Sequence, residues 1–409
     1  MQDARPTPTD LRIHSTTSPV QPNPTAALRW LRITAVVLIV GAAIGITWDG
    51  IWHIQNPFED FFSPPHLFVY TVATITGLMV MGMVFTPSMR TAFGRGFNVV
   101  ILPFPVPGSL FILGAGFVML GFAGLVLDNY WHSTFGLDET RWSFPHAMIG
   151  AALFVISLGF AASRMALSPH KPLRWHSRFL VAFLGIWLMG SWLGPIINNH
   201  TPDTVTATYS IPVLQQQPEA MHTFRIYQEW NLNRTNPALI VMGAMVLGMG
   251  LAFASRVDSR WWMLLLVVGL WQGTTDQNQA SLNFLNQYVR LVDNEANWEG
   301  LPYFLPAALW LLLMRFKVSE RAAYAAAGVL FGLLVWSIWQ AQPPGLVLLL
   351  VLLAAPAAAI VGGWIGRRVY EIAAAPNSPR QTLALILSFG VAVPFVTGII
   401  DLALRSATP

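Results

Sequence analysis

The chain of 409 residues has no cysteine, which excludes disulfides, thiolate metal sites and cysteine nucleophiles. Charge is scarce as well. Asp, Glu, Lys and Arg make up 10% of the residues, far below the ~25% of an ordinary soluble domain, so the chain cannot build a normal solvated surface. No glycine-rich phosphate loop and no G-x-S-x-G elbow occurs. Any chemistry falls to His, Asp, Glu, Met and aromatic side chains.

What the chain does have is apolar residues: 54% are hydrophobic, and the mean hydropathy is +0.53. Apolar stretches of roughly 20 residues recur, each long enough to cross a hydrocarbon core of ~30 Å. About eleven can be read, roughly at 32–52, 66–86, 107–128, 145–165, 178–198, 236–255, 261–276, 301–316, 322–341, 345–365 and 382–403. The pair 261–276 and 301–316 is short enough to be re-entrant; removing both leaves the sidedness of the others unchanged. The expected fold class is all-α, a polytopic helical membrane protein.

Orientation follows from the Lys and Arg bias between connecting segments. With the N-terminus inside, only Arg141, Arg225, Arg234, Arg290 and Arg405 of the 23 basic residues fall outside. The C-terminus is then outside. On the same count 14 of the 19 acids and 6 of the 9 histidines lie outside or at outer helix ends, so polar chemistry is expected on that side. The net charge of +4 reflects a basic inner rim and gives no reason to expect a nucleic-acid partner. The implied location is a bacterial-type plasma membrane, with lipid as the surrounding partner.

Residues 1–28, with "RPTPTDLRIHSTTSPVQPNPT", are polar and proline-rich and read as a disordered cytoplasmic tail. The first apolar run is too long for a signal-peptide core and is expected to remain as an anchor. Residues 29–176 read as a four-helix unit of two hairpins, and 177–409 as about seven further, unassigned helices.

The first hairpin contains "WDGIWHIQNPFEDFFSPPHL", residues 48–67. Asp49 and His53 are four apart and share a helix face. Ser63 suits an N-cap and the prolines suit a first turn, which puts His66 near the third helical position. The second hairpin, "LDNYWHSTFGLDETRWSFPHAM" at 127–148, repeats the devices with Asp128, His132 and His146, using Ser143 as cap and Pro145 in the first turn. The spacings are D-x3-H-x12-H and D-x3-H-x13-H. Polar residues also gather at membrane interfaces without binding anything, and Trp48, Trp52, Trp131 and Trp142 read as such an aromatic belt. For the two triads, the repetition of a capped histidine at nearly the same distance favours metal. Two imidazoles and a carboxylate suit copper, iron or zinc. Glu59, Asp60, Asp138 and Glu139 lie in the hairpin loops, where they could orient the histidines or simply be solvated. Met79, Met81 and Met83 are copper-type ligands by chemistry and packing residues by location. The loop 198–235 adds His200, Asp203 and His222 without helical spacing, and the polar loop 273–300 reads as a solvated or partner-contacting surface.

The segment "DGIWHIQNPFEDFFSPPH", followed by Ile75–Gly77, resembles the metal-binding segment of one membrane-embedded component of the copper-containing membrane monooxygenases, the particulate methane, ammonia and hydrocarbon monooxygenases. That component carries D-x3-H-x12-H, matched by Asp49, His53 and His66. It also carries N-x3-H-x13-H, matched by His132 and His146, with Asp128 in place of the asparagine. The resemblance covers about residues 30–165; residues 200–409 have no counterpart in it, and the family's cupredoxin domains are absent. It implies a copper-dependent oxygenase component acting on a small apolar or weakly polar substrate, with a quinol-type electron donor and partner subunits or further copies of the chain. The alternatives are a metal-handling protein for capture, loading or transport, and a scaffold that kept the ligands without the chemistry. A transporter is expected to carry ionisable ligands through mid-membrane, and few are found there; His170 and His176 belong to a basic inner loop.

Overall fold

The computed structural model describes residues 20–55, 61–135, 144–168, 174–192, 237–270, 303–339, 348–376, 378–392 and 395. Apart from one short β-hairpin, the regular structure among them is helical. The first helix, α1, spans Pro24–Gln55. The Asn23 side-chain oxygen accepts from the Ala26 backbone N–H at 3.0 Å, and Pro24 takes the first position, so a polar cap and a preset φ start the helix. The chain is thus helical inside the stretch 1–28 expected to be tail.

Helix α2 (Pro64–Phe85) returns antiparallel to α1 and is followed by the short α3 (Pro87–Arg90). Strands β1 (Gly96–Phe97) and β2 (Val106–Pro107) pair as a small hairpin. Helix α4 (Gly108–Gly121) continues through a π-helical turn (Phe122–Leu127) into α5 (Asp128–Phe135). Then come α6 (Phe144–Ala166), α7 (Trp175–Trp192), α8 (Pro237–Val257), α9 (Trp261–Leu270), α10 (Phe304–Arg315) and α11 (Glu320–Trp339). A second π turn (Leu350–Ala354) leads into α12 (Ala355–Ala374), and α13 (Pro379–Leu387) runs into a third (Ser388–Ala392).

Among the described residues, six helical stretches are long and apolar enough to cross a bilayer: Pro24–Gly45, Pro64–Phe85, Gly108–Trp131, Ala147–Ala166, Ile240–Val257 and Leu350–Ala374. Helices α9 and α10 are apolar but shorter; they correspond to the two segments read as short from the sequence.

Helices in hydrocarbon gain little from burying apolar surface against one another, so close backbone approach matters more. The central pair α8–α12 shows how. A methyl group at Gly248 would overlap the Ala359 carbonyl oxygen, and methyls at Gly362 and Gly366 would overlap those of Met245 and Met249. On α4 and α6, Gly116 and Gly159 likewise lie against the backbones of Ile156 and Leu113. Helix α6 packs on both sides. One face joins a core of α7, α8, α10, α11 and α12 built on Phe154, Phe253 and Phe331. The other joins a smaller core of α1, α2 and α4, with Leu31, Val80, Met83 and Leu110.

Exposure separates the layers. The apolar spans of α1 and α2 are 22% buried, against 72% for α6 and 67% for α8. Ile33, Val36, Val40 and Ile44 on α1 face outward, as do Ile75 and Leu78 on α2. In water these stripes would be a liability; beside lipid they cost nothing.

Candidate metal centre

Geometry begins with a four-residue stripe on α1. Gly41, Gly45, Asp49 and His53 follow one another at i,i+4, so the first two open a groove on the face that carries Asp49. The side chains of Val72 and Val69 on α2 fill that groove, packed against Gly41 and Gly45. An antiparallel pair that matches Gly41 with Val72 and Gly45 with Val69 must match Asp49 with His66. This is the observed contact: His66 Nε2 lies 3.0 Å from Asp49 Oδ1, with the side chains 12% and 28% exposed. The glycine stripe is the sequence signal that sets the register, and spacing of the ligands alone does not reveal it.

His66 is the third residue of α2, as expected. The expected cap is different. Ser63 occupies the N-cap position, but its side chain makes no capping bond, and its hydroxyl is buried without a partner among the described residues. The Ser63 carbonyl instead accepts the Leu67 N–H at 3.0 Å. His66 Nδ1 is bonded to the Phe61 carbonyl at 3.0 Å. A carbonyl only accepts, so Nδ1 carries a proton and donates, and the imidazole is held with Nε2 turned to the carboxylate. Phe61 and Tyr70 enclose the ring, at centroid distances of 6.3 and 5.9 Å.

Two ligand atoms that each lie about 2.0–2.2 Å from one ion are roughly 3 Å apart, and the Asp49–His66 pair is so spaced. An imidazole whose remote nitrogen is bonded to a backbone carbonyl is also the usual arrangement around a metal. The donor set fits copper, iron or zinc. His53 lies one turn beyond Asp49 on α1, and its imidazole is outside the described residues. Among the described residues no group of three or more His, Asp or Glu side chains is placed to hold an ion.

Of the second triad, Asp128 is described and lies buried, 4% exposed, where the π turn passes into α5. A π turn accommodates one extra residue, which rotates the side chains beyond it by about 100° relative to an uninterrupted α-helix. This turn therefore decides where Asp128 faces, and nothing in the D-x3-H-x13-H spacing announces it. A methyl at Gly124, in the same turn, would touch the Tyr70 ring at 3.6 Å, so Tyr70, which neighbours His66 on α2, also reaches the π turn that leads to Asp128. The imidazoles of His132 and His146 lie outside the described residues, although both backbones are helical and Pro145 is in the first turn of α6 as expected. Also outside the described residues are Ser143, Trp142, Glu59, Asp60, Asp138 and Glu139, the loop 198–235 with His200, Asp203 and His222, and the loop 273–300.

Two residue sets read differently in three dimensions. Trp48 is 39% exposed, as an aromatic belt requires, but Trp131 is only 6% exposed and packs inside. Met83 is buried in the smaller core while Met81 faces outward, so the two share no face.

Sequence reading missed the polar centres at the opposite, arginine-rich end. Glu320, at the start of α11, pairs with Arg367 of α12 and with Arg256 of α8 at 3.8 Å, and accepts from the Tyr324 hydroxyl at 3.1 Å. One carboxylate thereby ties three helices. Asp258, whose carboxylate is 1% exposed, accepts from the Arg260 side chain and lies 3.6 Å from Arg178 of α7. The Arg260 hydrogen bond holds the Asp258 carboxyl below its ordinary value against the opposing effect of burial. Glu320 and Asp258 are far in sequence from their partners on other helices, so no local pattern marks them.

No protein-family model, curated protein or solved structure matches the chain.

Proposed function

We propose that this chain is an integral membrane copper-binding protein that takes part in O2-dependent oxidation of a small apolar or weakly polar substrate. The observation that carries the metal reading is the Asp49–His66 contact: two ligand-type side chains on different helices meet at 3.0 Å, with the second imidazole nitrogen fixed on a carbonyl. The step from metal binding to oxidation rests on the resemblance to the membrane-embedded component of the copper-containing monooxygenases.

In this reading Asp49, His53 and His66 hold one ion, and His132, His146 and Asp128 a neighbouring one, near the extracytoplasmic face. Bound copper would supply the redox chemistry that activates O2. The chain's own part is to hold and enclose. The Phe61 carbonyl fixes the imidazole, Phe61 and Tyr70 limit water around it, and the apolar outer faces of α1 and α2 offer a route from lipid for an apolar substrate. The full topology is about eleven spans, N-terminus inside and C-terminus outside. Electrons would come from a quinol-type donor, and partner subunits or further copies of the chain complete the system.

The test is metal analysis of the purified, membrane-reconstituted protein alongside O2 consumption in cells. Wild type should retain copper, and His53→Ala and His66→Ala should lose both copper and substrate oxidation while remaining in the membrane. Unchanged metal content in both variants would overturn the site. Loss of copper uptake or tolerance, with no oxidation in any partner context, would replace the oxygenase with a metal-handling protein.

A further inference from the structure

The connection from α2 to α4 contains "GFNVVILPFPVP" at 96–107, without a single charged residue. Its strands β1 and β2 pair Gly96 with Pro107 and Phe97 with Val106. Its tip is a turn in which the Leu102 N–H donates to the Val99 carbonyl at 3.0 Å. The two central residues of such a turn are ordinarily Gly, Pro, Asn, Asp or Ser, chosen for their backbone freedom or local hydrogen bonds. Here they are Val100 and Ile101, β-branched and apolar, and they stand 104% and 84% exposed. Turn propensity works against both residues, and no described residue covers them.

The base of the hairpin is firmly held. The Arg90 guanidinium lies 3.9 Å over the Phe104 ring and donates to the Val84 carbonyl at 2.8 Å. Phe97 meets Phe111 of α4 edge-on at 5.3 Å. The outward apolar stripe of α2, Ile75, Leu78 and Phe85, runs into the hairpin through the edge-on Phe85–Phe104 contact at 5.5 Å. A surface that suits lipid therefore continues without a break onto the loop. Arg95 is exposed beside β1, where a cation would meet headgroup phosphates.

From this continuity we infer that the 96–107 hairpin is a membrane anchor, its tip inserting Val100 and Ile101 into the lipid leaflet at the arginine-rich end. The occupant of the exposed tip is lipid. The anchor is independent of any metal at the opposite end of the bundle. It would fix the depth of the α2–α4 pair through a contact that does not depend on a spanning helix.

The absence of cysteine makes the test clean, because one introduced thiol is unique. Asn98→Cys in the full chain is labelled with an environment-sensitive fluorophore and reconstituted into nanodiscs. Lipids with a nitroxide at a shallow acyl position should quench it roughly twofold or more, and aqueous iodide should quench it little. The same label at Arg321→Cys, exposed at the same end, should show the reverse. Adding Val100→Asp and Ile101→Asp to the Asn98→Cys chain should bring its quenching to the Arg321→Cys level; the single Ile101→Ser change, gentler on folding, should move it in the same direction. Free iodide access in the unaltered tip would overturn the anchor, and so would protection from both quenchers, which would mean a protein cover. Nitroxide quenching that survives Val100→Asp and Ile101→Asp would equally overturn it.

Discussion

The α1–α2 hairpin and the central α8–α12 pair are both glycine-packed, but they are built for different ends. In the first, the glycines Gly41 and Gly45 receive valine side chains, the faces turned away from the bundle are open, and the contact of interest is one histidine–carboxylate pair near the turn that joins the two helices. In the second, Gly248, Gly362 and Gly366 bring backbone against backbone, the α8 span is 67% buried, and the polar contacts are ion pairs at the arginine-rich end. The difference separates a peripheral, lipid-facing unit that can present ligands from a packed unit that holds the bundle together.

The sharpest way to break this comparison is to remove the Asp49–His66 pair. His66→Ala should reduce bound metal to background, because replacing even an indirect neighbour of a metal ligand typically costs 10–100-fold in affinity, while the melting temperature of the metal-free protein changes little. Metal titration paired with thermal unfolding checks both halves. A large fall in melting temperature with metal retained would show that the hairpin is structural instead.

Next in size is the central pair. Gly362→Ala forces a methyl into the Met245 carbonyl and should destabilise by about 1–3 kcal/mol. Gly114→Ala on α4, where nothing lies within 4 Å of the new methyl, should stay within about 1 kcal/mol and lean toward stabilisation. Denaturant unfolding of the two variants in the same detergent separates them. Equal effects would remove backbone contact as the distinguishing feature of α8–α12.

Glu320→Ala comes third. The carboxylate is 28% exposed and its partners Arg256 and Arg367 are 29% and 39% exposed, so partial screening keeps the loss near ~1 kcal/mol. It should lower the melting temperature by a few degrees without changing metal content, and Glu320→Gln, which keeps the tyrosine hydrogen bond, should lose less.

The smallest effect is one of pH. Because the folded Asp258 carboxyl titrates below its ordinary value of 3.8, its ionised form stabilises the fold above that pH, and the contribution fades as the pH falls through the lowered folded value. Between about pH 7 and 5 the melting temperature of Asp258→Asn should run parallel to wild type. Below about pH 4 wild type should fall toward the variant. Curves that stay parallel down to about pH 2.5 would show that the pair contributes nothing.

The sequence by itself determined the class. The shortage of charge and the recurring apolar runs leave helices as the way to satisfy backbone hydrogen bonds in lipid, and the described residues are mostly helical accordingly. It also determined that His66 opens a helix three positions in, because prolines and a preceding turn are local signals. Tertiary structure decided what local signals do not carry. The meeting of Asp49 with His66 depends on how Gly41 and Gly45 set one helix against another. The facing of Asp128 depends on a π turn. The burial of Trp131 and the pairing of Glu320 with Arg256 and Arg367 depend on neighbours distant in the chain. Composition and periodicity act over a few residues along one helix, whereas side-chain pairing in a membrane bundle is set by which backbones can approach most closely.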